Sequence, residues 1–229
     1  MVQQGVIVAI DGPAGAGKST VAKSVALLTG MTFVDTGAVY RTLAYRANAM
    51  QVAMDEAAAL AKLTESLPIR FKMGTEGQKV YLDGADVTEA IREPHIGVWA
   101  SQVSQHPSVR QGLLALQRKM GAGPAGAVLE GRDIGTVVFP QAQVKVFLTA
   151  DPMERAKRRV AQLFEQGIVV SLDEVLGEMQ GRDKRDQERA VAPLIKADDA
   201  VEIDSTKFTM DEVVQKIINL VTEARGRSS

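Results

Sequence analysis

The stretch "DGPAGAGKST", residues 11–20, places three glycines close together and follows them with a lysine and two hydroxyl residues. Gly12, Gly17, Lys18 and Ser19 fit the pattern G-x-x-x-x-G-K-[ST]. Ordering glycines is costly because glycine loses the most backbone freedom on folding, so such a cluster indicates a functional loop. Main-chain N–H groups in a loop of this kind turn towards phosphate oxygens. The predicted phosphate-binding loop (P-loop) comprises Gly12, Pro13, Ala14, Gly15, Ala16, Gly17, Lys18, Ser19 and Thr20.

The residues on either side of the P-loop predict a strand before it and a helix after it. Residues 6–10 form a continuous apolar run, which is typical of a strand buried on both faces of a sheet. Residues 18–28 have helical spacing, with Val21, Val25 and Leu28 on one face. A helix N-terminus adds partial positive charge at the loop. We expect Lys18 to bridge the β- and γ-phosphates of a nucleoside triphosphate and the Ser19 hydroxyl to ligate Mg²⁺.

Four more short apolar runs recur along the chain, and helical patterns separate most of them. They occupy residues 32–34, 127–129, 144–148 and 200–203. Strands that alternate with helices are typical of a parallel sheet covered on both faces. The predicted fold class is therefore α/β, a three-layer P-loop fold with a five-stranded parallel sheet and helices on both faces.

About ninety residues separate the second strand from the third, which is more than one crossover needs. Within this interval "IRFKM" and "KVYLDG" alternate apolar and polar residues, with "GTEG" between them as a hairpin turn. Helical patterns over 37–50 and about 95–120 flank this part. We therefore expect a small antiparallel insert at 63–95, and a core built from 1–62 and 96–229.

Composition limits the classes of partner. The chain has 229 residues, a formal net charge of −1 and no cysteine. The absence of a basic excess argues against general binding to nucleic acid or membrane surfaces. No apolar run is long enough for a membrane span, and the N-terminus lacks the basic region of a signal peptide. We therefore expect a cytoplasmic protein. We also expect a monomer, since no long apolar stripe indicates an interface with a partner chain.

The P-loop pattern does not reveal what receives the phosphate. A GTPase would need an Asn-Lys-x-Asp motif, but neither Asn48 nor Asn219, the two asparagines of the chain, precedes a lysine. Two classes remain at this point. One is a kinase that transfers the γ-phosphoryl group to a small molecule, and the other is an ATP-binding switch without phosphotransfer.

The positions of several arginines favour the kinase hypothesis. A kinase for a phosphorylated acceptor needs a second anion site, and the guanidinium group binds phosphate well. Arg41 and Arg132 follow the second and third strands, and ligands of open α/β sheets bind beyond the carboxyl ends of the strands. Two arginine-rich runs, 154–167 and 181–194, are also compatible with solvated, salt-bridged helix faces.

Five segments together resemble those of bacterial-type cytidylate (CMP/dCMP) kinases, over about residues 6–206. They are "GPAGAGKST", "DTGAVYR", "ASQVSQHPSVR", "EGRDIGTVVFP" and "GRDKRDQERAVAPL". The resemblance implies a P-loop core, a nucleoside-monophosphate-binding insert and a short mobile lid at about 154–168. It also implies transfer of the γ-phosphoryl group of ATP to CMP or dCMP, giving CDP or dCDP, with Mg²⁺. UMP or a non-nucleotide alcohol remains an alternative acceptor on the same scaffold.

The resemblance further implies roles for individual residues. Those that grip the acceptor phosphate are Arg41, Arg132 and Arg189, and those that read cytosine are Ser101, Arg110 and Asp133. Arg182 and Asp186 lie near the sugar, Thr36 and Tyr40 line the acceptor pocket, and Arg155, Arg158 and Arg159 belong to the lid. Lys18, Arg132, Arg158 and Arg159 are the implied catalytic residues. Many relatives have Ser in place of Thr36 and Asp in place of Glu130, changes that keep the hydroxyl and the charge.

The chemistry of cytosine is compatible with these roles. Asp133 would accept from the exocyclic amine, while Arg110 and the Ser101 hydroxyl would satisfy the base acceptors; uracil would leave such groups unpaired, and sites of this kind discriminate by roughly 10⁴-fold. Taken without the resemblance, Ser101 and Arg110 are equally compatible with surface positions. Asp133 is likewise compatible with a helix cap or an ion pair with Arg132.

Overall fold

The computed structural model describes residues 5–74 and 77–227, and its elements alternate as the sequence predicts. In chain order they are β1 (Ile7–Asp11), α1 (Lys18–Thr29), β2 (Thr32–Asp35), α2 (Gly37–Ala49), α3 (Ala57–Glu65), β3 (Ile69–Gly74), β4 (Gly77–Leu82), β5 (Ala85–Asp86), α4 (Pro94–Val103), α5 (Pro107–Gly121), β6 (Ala127–Gly131), β7 (Val144–Thr149), α6 (Pro152–Glu165), α7 (Leu172–Glu188), β8 (Val201–Asp204) and α8 (Met210–Arg227). A 3-10 turn spans Ala90–Arg92 and a π-helical turn spans Ile134–Val138.

The central sheet has five parallel strands in the order β2-β6-β1-β7-β8, which confirms the predicted fold class. Asp11 at the end of β1 pairs in register with Gly131, and Asp35 at the end of β2 pairs with Glu130. The carboxyl ends of β1, β2 and β6 are therefore level. The segments that follow these strands meet at one edge of the sheet.

Apolar side chains cover both faces of the sheet. Val8 and Ile10 pack with Val25 of α1 and Ile217 of α8 on one face, while Ala9 packs with the opposite cluster around α5 and the π-helical turn. The buried face of α1 ends at Ala26. Leu28, which the spacing predicts on that face, is 67% exposed, so this part of the prediction is wrong.

The helical pattern predicted at about 95–120 is two helices rather than one. Pro107 occupies the first turn of α5, and the residue before it, His106, is extended with φ −76° and ψ 119°. A proline disfavours helical geometry in the preceding residue, so the chain breaks between α4 and α5.

A second sheet of three antiparallel strands, β3-β4-β5, lies in the predicted insert. Its buried Val80 and Leu82 pack with Ala38 of α2 and Ile96 of α4. The sequence predicts two of these strands and misses the two-residue β5. Residues 75 and 76 of the predicted "GTEG" turn lie outside the described residues.

Within the described parts of the chain, no helix combines the length and the apolar character that crossing a membrane requires.

Candidate active site

The P-loop connects the end of β1 to the first turn of α1. Gly17 caps α1 with φ 90°, a left-handed conformation that favours glycine. A Cβ on Gly12 would lie 1.9 Å from the carbonyl oxygen of Leu148 on the neighbouring strand, so the turn needs a residue without a side chain. Lys18 is buried, and its Nζ donates to the carbonyl oxygen of Pro13 over 2.6 Å. Burial, reinforced by the nearby Arg132, lowers the pKa of Lys18 to about 7.

Asp11 ties the start of the P-loop to the segment after β6. Its carboxylate accepts from the N–H groups of Ile134 and Gly135, each over 2.8 Å. Burial outweighs these hydrogen bonds and raises the pKa of Asp11 to about 6. Arg132 and Asp133 immediately precede the two donors, so Asp11 fixes their place beside the P-loop.

The end of β2 presents Arg41 and Thr36. Asp35 accepts from Arg41 Nη2 over 2.6 Å and from the N–H of Ala38 over 3.0 Å, so this carboxylate caps the start of α2 and orients the guanidinium. Burial opposes ionisation of Asp35, but Arg41 outweighs it and lowers the pKa below its usual value. Thr36 donates its hydroxyl proton to the carbonyl oxygen of Glu130 over 2.7 Å.

Helix α7 and the residue after it supply further arginines and a carboxylate. Arg132 Nε donates to Asp186 Oδ2 over 2.9 Å, and Arg189 Nη1 lies 3.7 Å from Asp186 Oδ1. Burial, together with the charge of Arg132, lowers the pKa of Arg182 to about 10. Asp186 therefore holds two of the three predicted phosphate-binding arginines in one place.

Arg110 and Asp133 form a buried ion pair next to Ser101. Arg110 Nη2 donates to Asp133 Oδ2, Nη1 donates to the Ser104 carbonyl oxygen over 3.2 Å, and the guanidinium lies 5.3 Å from the Tyr40 ring centroid. Asp133 occupies the N-cap position of the following turn, but its side chain makes no capping hydrogen bond. It pairs with Arg110 and not with Arg132, whose partner is Asp186, so the predicted alternative of an Arg132 ion pair is wrong. Among the described residues the buried Ser101 Oγ has no hydrogen-bond partner.

One cavity of about 230 Å³ contains these groups. Its lining includes Lys18 and Ser19 of the P-loop and every predicted acceptor-binding residue: Thr36, Tyr40, Arg41, Ser101, Arg110, Arg132, Asp133, Arg182, Asp186 and Arg189. Cationic side chains outnumber the carboxylates of Asp35, Glu130, Asp133 and Asp186. A larger cavity of about 370 Å³ lies near the amino ends of β1 and β7, but its lining is mostly apolar and brings together no such charges. The cationic cavity is therefore the candidate active site.

The three predicted lid arginines do not line this cavity. Arg158 donates to the side-chain and main-chain oxygens of Ser205, each over 3.0 Å, and Arg159 donates to Gln162 over 2.8 Å. Arg155 is buried and pairs with Asp183 over 2.6 Å. The predicted contact of Arg158 and Arg159 with the transferring group stays a prediction.

The sequence reasoning assigned no role to Asp11 or Ser104 and saw Asp35 only as a cap or loop anchor. Asp11 and Asp35 each end a buried strand, and an acidic residue at such a position is a sequence signal for a site residue. Ser104 acts through its main-chain oxygen, for which a sequence offers no signal.

The comparisons agree with the geometry. A family model described as cytidylate kinase matches residues 8–223. The cytidylate kinase of Geobacillus sp. is 47% identical over 219 residues, covering 96% of this chain and 97% of that protein. The cytidylate kinase of Syntrophotalea carbinolica is 48% identical over 219 residues, covering 95% and 92%. That of Azotobacter vinelandii is 46% identical over 216 residues, covering 93% and 94%.

The family model spans nearly the whole chain, and identities near one half run along its full length. The chain therefore belongs to the cytidylate kinase family, and it is a nucleoside monophosphate kinase that phosphorylates CMP with ATP.

Proposed function

We propose that the protein phosphorylates both CMP and dCMP with ATP and Mg²⁺ in the cavity between the P-loop and α7. The observation that carries this proposal is the meeting of two anion sites in one cavity. Lys18 and the P-loop form one site, and Arg41, Arg132 and Arg189 form the other. Phosphoryl transfer between two nucleotides requires two phosphate groups to be held against each other, and charges of this kind offset their repulsion.

The acceptor phosphate binds to Arg41, Arg132 and Arg189. Asp35 and Asp186 orient these side chains from behind, through Arg41 Nη2 and Arg132 Nε respectively. Arg132 Nη1 donates to the Gly131 carbonyl oxygen and Arg189 Nε to that of Ala192. Nη2 of Arg189 is buried without a hydrogen-bond partner among the described residues and lies 3.8 Å from Asp133 Oδ1. Such an unpaired buried donor is favourable only if a ligand completes it.

Cytosine binds where Asp133, Arg110 and Ser101 meet. The Asp133 carboxylate accepts from the exocyclic amine, and Arg110 and the unpaired Ser101 hydroxyl donate to the ring acceptors. Uracil presents a carbonyl oxygen where cytosine has its amine, and that oxygen would face the Asp133 carboxylate. Arg182, Asp186, Thr36 and Tyr40 surround the sugar and the rest of the acceptor.

The transfer step needs position and charge rather than a general base. The attacking group is already an anionic phosphate oxygen, so it requires no proton removal. Arg41, Arg132 and Arg189 hold it in line with the γ-phosphorus, and Lys18 stabilises the negative charge on the transferring group. We propose that residues of about 154–168 form a lid that brings Arg158 and Arg159 to this group and excludes water.

The residues beside Lys18 fit Mg²⁺. Oε1 of Glu130 is buried and lacks a hydrogen-bond partner among the described residues, and the Ser19 hydroxyl interacts with the same carboxylate. Burial, together with the charge of Asp35, raises the pKa of Glu130. An oxygen site with spare negative charge suits a hydrated Mg²⁺, which would bind Ser19 directly and Glu130 through water. The bound ion would neutralise charge on the β- and γ-phosphates.

The domain assignment is also a proposal. Residues 1–62 and 96–229 form the core, and 63–95 form the insert that closes over the nucleoside monophosphate. The packing of Val80 and Leu82 against α2 and α4 supports this assignment, because α2 carries Arg41 and α4 carries Ser101. We further propose a cytoplasmic monomer that binds neither nucleic acid nor membrane.

An ATP-coupled assay across CMP, dCMP, UMP, AMP, GMP and shikimate tests the proposal. We expect CMP and dCMP to be the best acceptors and activity to depend on added Mg²⁺. A better rate with UMP or shikimate would overturn the acceptor assignment. Tight ATP binding without acceptor-dependent release of ADP would instead favour a nucleotide-binding switch.

A further inference from the structure

Arg155 lies in an arginine-rich run that the resemblance assigns to a mobile lid, yet it is among the most fully bonded side chains of the fold. Only 5% of the residue is exposed. Its Nη1 donates to Asp183 Oδ2 over 2.6 Å and to the carbonyl oxygen of Ala14 over 2.9 Å, and its Nε donates to the carbonyl oxygen of Ala150 over 3.1 Å. Arg155 thus joins α6, α7, the end of β7 and the P-loop.

Asp183 contacts the same residue of the P-loop. Its Oδ1 accepts from the N–H of Ala14 over 3.4 Å while its Oδ2 accepts from Arg155. The ion pair therefore holds Ala14 by both its main-chain groups. It commits the N–H of Ala14 to a carboxylate, which leaves the later N–H groups of the loop for phosphate.

Carbonyl oxygens in the first half of the loop are bonded to cations. Lys18 donates to the Pro13 oxygen, and Arg155 donates to the Ala14 oxygen. A carbonyl oxygen that faced a triphosphate would repel it, so these two hydrogen bonds favour a loop that presents donors. The position of Lys18 follows from the phosphate-binding pattern, whereas nothing in that pattern requires Arg155.

Packing reinforces the same contact. Ala14 packs against the apolar cluster of Ala156, Leu163, Val175 and Met179, which joins α6 to α7. A Cβ on Gly15 would lie 2.7 Å from Cε of Met179 and 3.2 Å from Cβ of Arg155. The outer side of the P-loop therefore rests on α6 and α7.

We propose that Arg155 and Asp183 are positioning residues for the ATP site. Together they fix the Ala14 peptide so that the P-loop accepts the triphosphate, and neither of them touches a substrate. The inference rests on the proposed function, in which the P-loop holds ATP.

The test compares steady-state constants and ATP affinity in Arg155→Met, Asp183→Asn and the double variant. Their matched controls are Lys184→Met and Asp173→Asn, exposed positions on α7. We expect each single variant to raise KM and Kd for ATP by about 10-fold or more, the scale of one lost charge-assisted contact. KM for CMP should change less than about 2-fold, the scatter expected between unlinked sites. The controls should match the wild type.

The double variant shows whether Arg155 and Asp183 act on ATP binding as one pair or independently. If the two residues act as one unit, removing both should weaken ATP binding no more than the worse single variant, because each single leaves a buried partner without its counter-charge. Arg155→Lys keeps the charge but not the fork that spans Asp183 and Ala14, and it should give an intermediate ATP affinity. If Asp183→Asn fails to fold, the ATP affinity of Arg155→Lys still tests the inference.

Calorimetric titration with ATP on protein that unfolds cooperatively distinguishes lost position from lost fold. Equal increases in KM for ATP and CMP, or multiplicative losses in the double variant, would overturn the inference. Unchanged ATP constants in all variants of an active enzyme would overturn it while leaving the proposed function intact. A wild-type protein that transfers no phosphate to CMP would instead refute the proposed function.

Discussion

Arg132 and Asp186 are 54 residues apart in sequence, yet Nε of the arginine donates to Oδ2 of the aspartate over 2.9 Å. The arginine follows β6 and the aspartate lies on α7, and both residues line the active-site cavity. The carboxylate uses the inner N–H of the guanidinium. The ion pair therefore orients the Arg132 guanidinium without using its outer Nη2 donors.

Arg132→Ala should therefore impair the use of CMP far more than the binding of ATP. We expect kcat/KM for CMP to fall by roughly 10²–10³-fold, the scale of one lost, well-placed transition-state donor. Measured at pH 6, where Lys18 is charged in both proteins, the Kd for ATP should stay within about 2-fold of the wild type. Steady-state kinetics and calorimetric titration check both values. Loss of cooperative unfolding in the variant would show that Arg132 is needed for the fold instead.

Lys18→Ala should abolish most turnover because Lys18 is the lysine of the P-loop that would bridge the donor phosphates. We expect kcat to fall by at least roughly 10²–10³-fold. Lys23→Ala, on the exposed side of the same helix, is the control. A near-normal turnover of the Lys18 variant would refute the assigned role of the P-loop lysine.

Asp133→Asn should reduce the discrimination between CMP and UMP. The amide can donate to the carbonyl oxygen of uracil, which the carboxylate would repel, so we expect the CMP-to-UMP ratio of kcat/KM to fall by at least about 10-fold. Parallel assays with both acceptors measure the ratio. An unchanged ratio would place cytosine recognition elsewhere in the cavity.

ATP affinity should depend on pH through Lys18. Its pKa of about 7 means that the side chain is charged below this pH and neutral above it, and bound phosphates favour the charged form. Affinity should therefore fall as the pH rises through 7. Because Arg132 contributes to the lowered pKa, the same fall should move to higher pH in Arg132→Ala. Titration of Lys18→Ala over the same range supplies the contribution of the nucleotide itself, and identical curves for all three proteins would contradict the prediction.

Asp11 should make stability depend on pH between about 4 and 6. Its folded pKa of about 6 exceeds the usual 3.8, so the folded state binds more protons in this window and the contribution of Asp11 to stability is lost as the pH rises. Relative to the wild type, Asp11→Asn should gain stability across this window by up to about 3 kcal/mol. Urea unfolding at pH 4, 5, 6 and 7 measures the difference. A difference that stays constant with pH would contradict the raised pKa.

The local part of the site is readable from sequence. The P-loop pattern fixes a backbone shape within nine residues, and a parallel sheet brings Arg41 and Arg132 to one edge because both follow strands. The hydrogen-bond partners of the site residues, in contrast, cannot be predicted from local sequence. Asp11 and Ile134 are 123 residues apart, and nothing local to either indicates that a carboxylate will meet two main-chain N–H groups there.

The buried face of a highly charged helix is likewise difficult to predict from sequence. The run 154–159 carries Arg155, Arg158 and Arg159 within two helical turns, and spacing alone does not say which of the three is buried. The structure buries Arg155, because that position faces Asp183 and Ala14, and leaves the other two nearer solvent. Likewise, the break before Pro107 follows from a local rule, whereas the packing of α4 and α5 around Tyr40 depends on the whole fold.

Arg158 rests on the hydroxyl and carbonyl oxygens of Ser205, and that hydroxyl donates onward to the carbonyl oxygen of Ala16 over 3.1 Å. Its resting partners are thus uncharged. A carboxylate in the same place would hold the guanidinium more tightly and would compete with any incoming polyphosphate. Under the proposed lid closure, uncharged partners would release Arg158 to a polyphosphate more readily than an ion pair would.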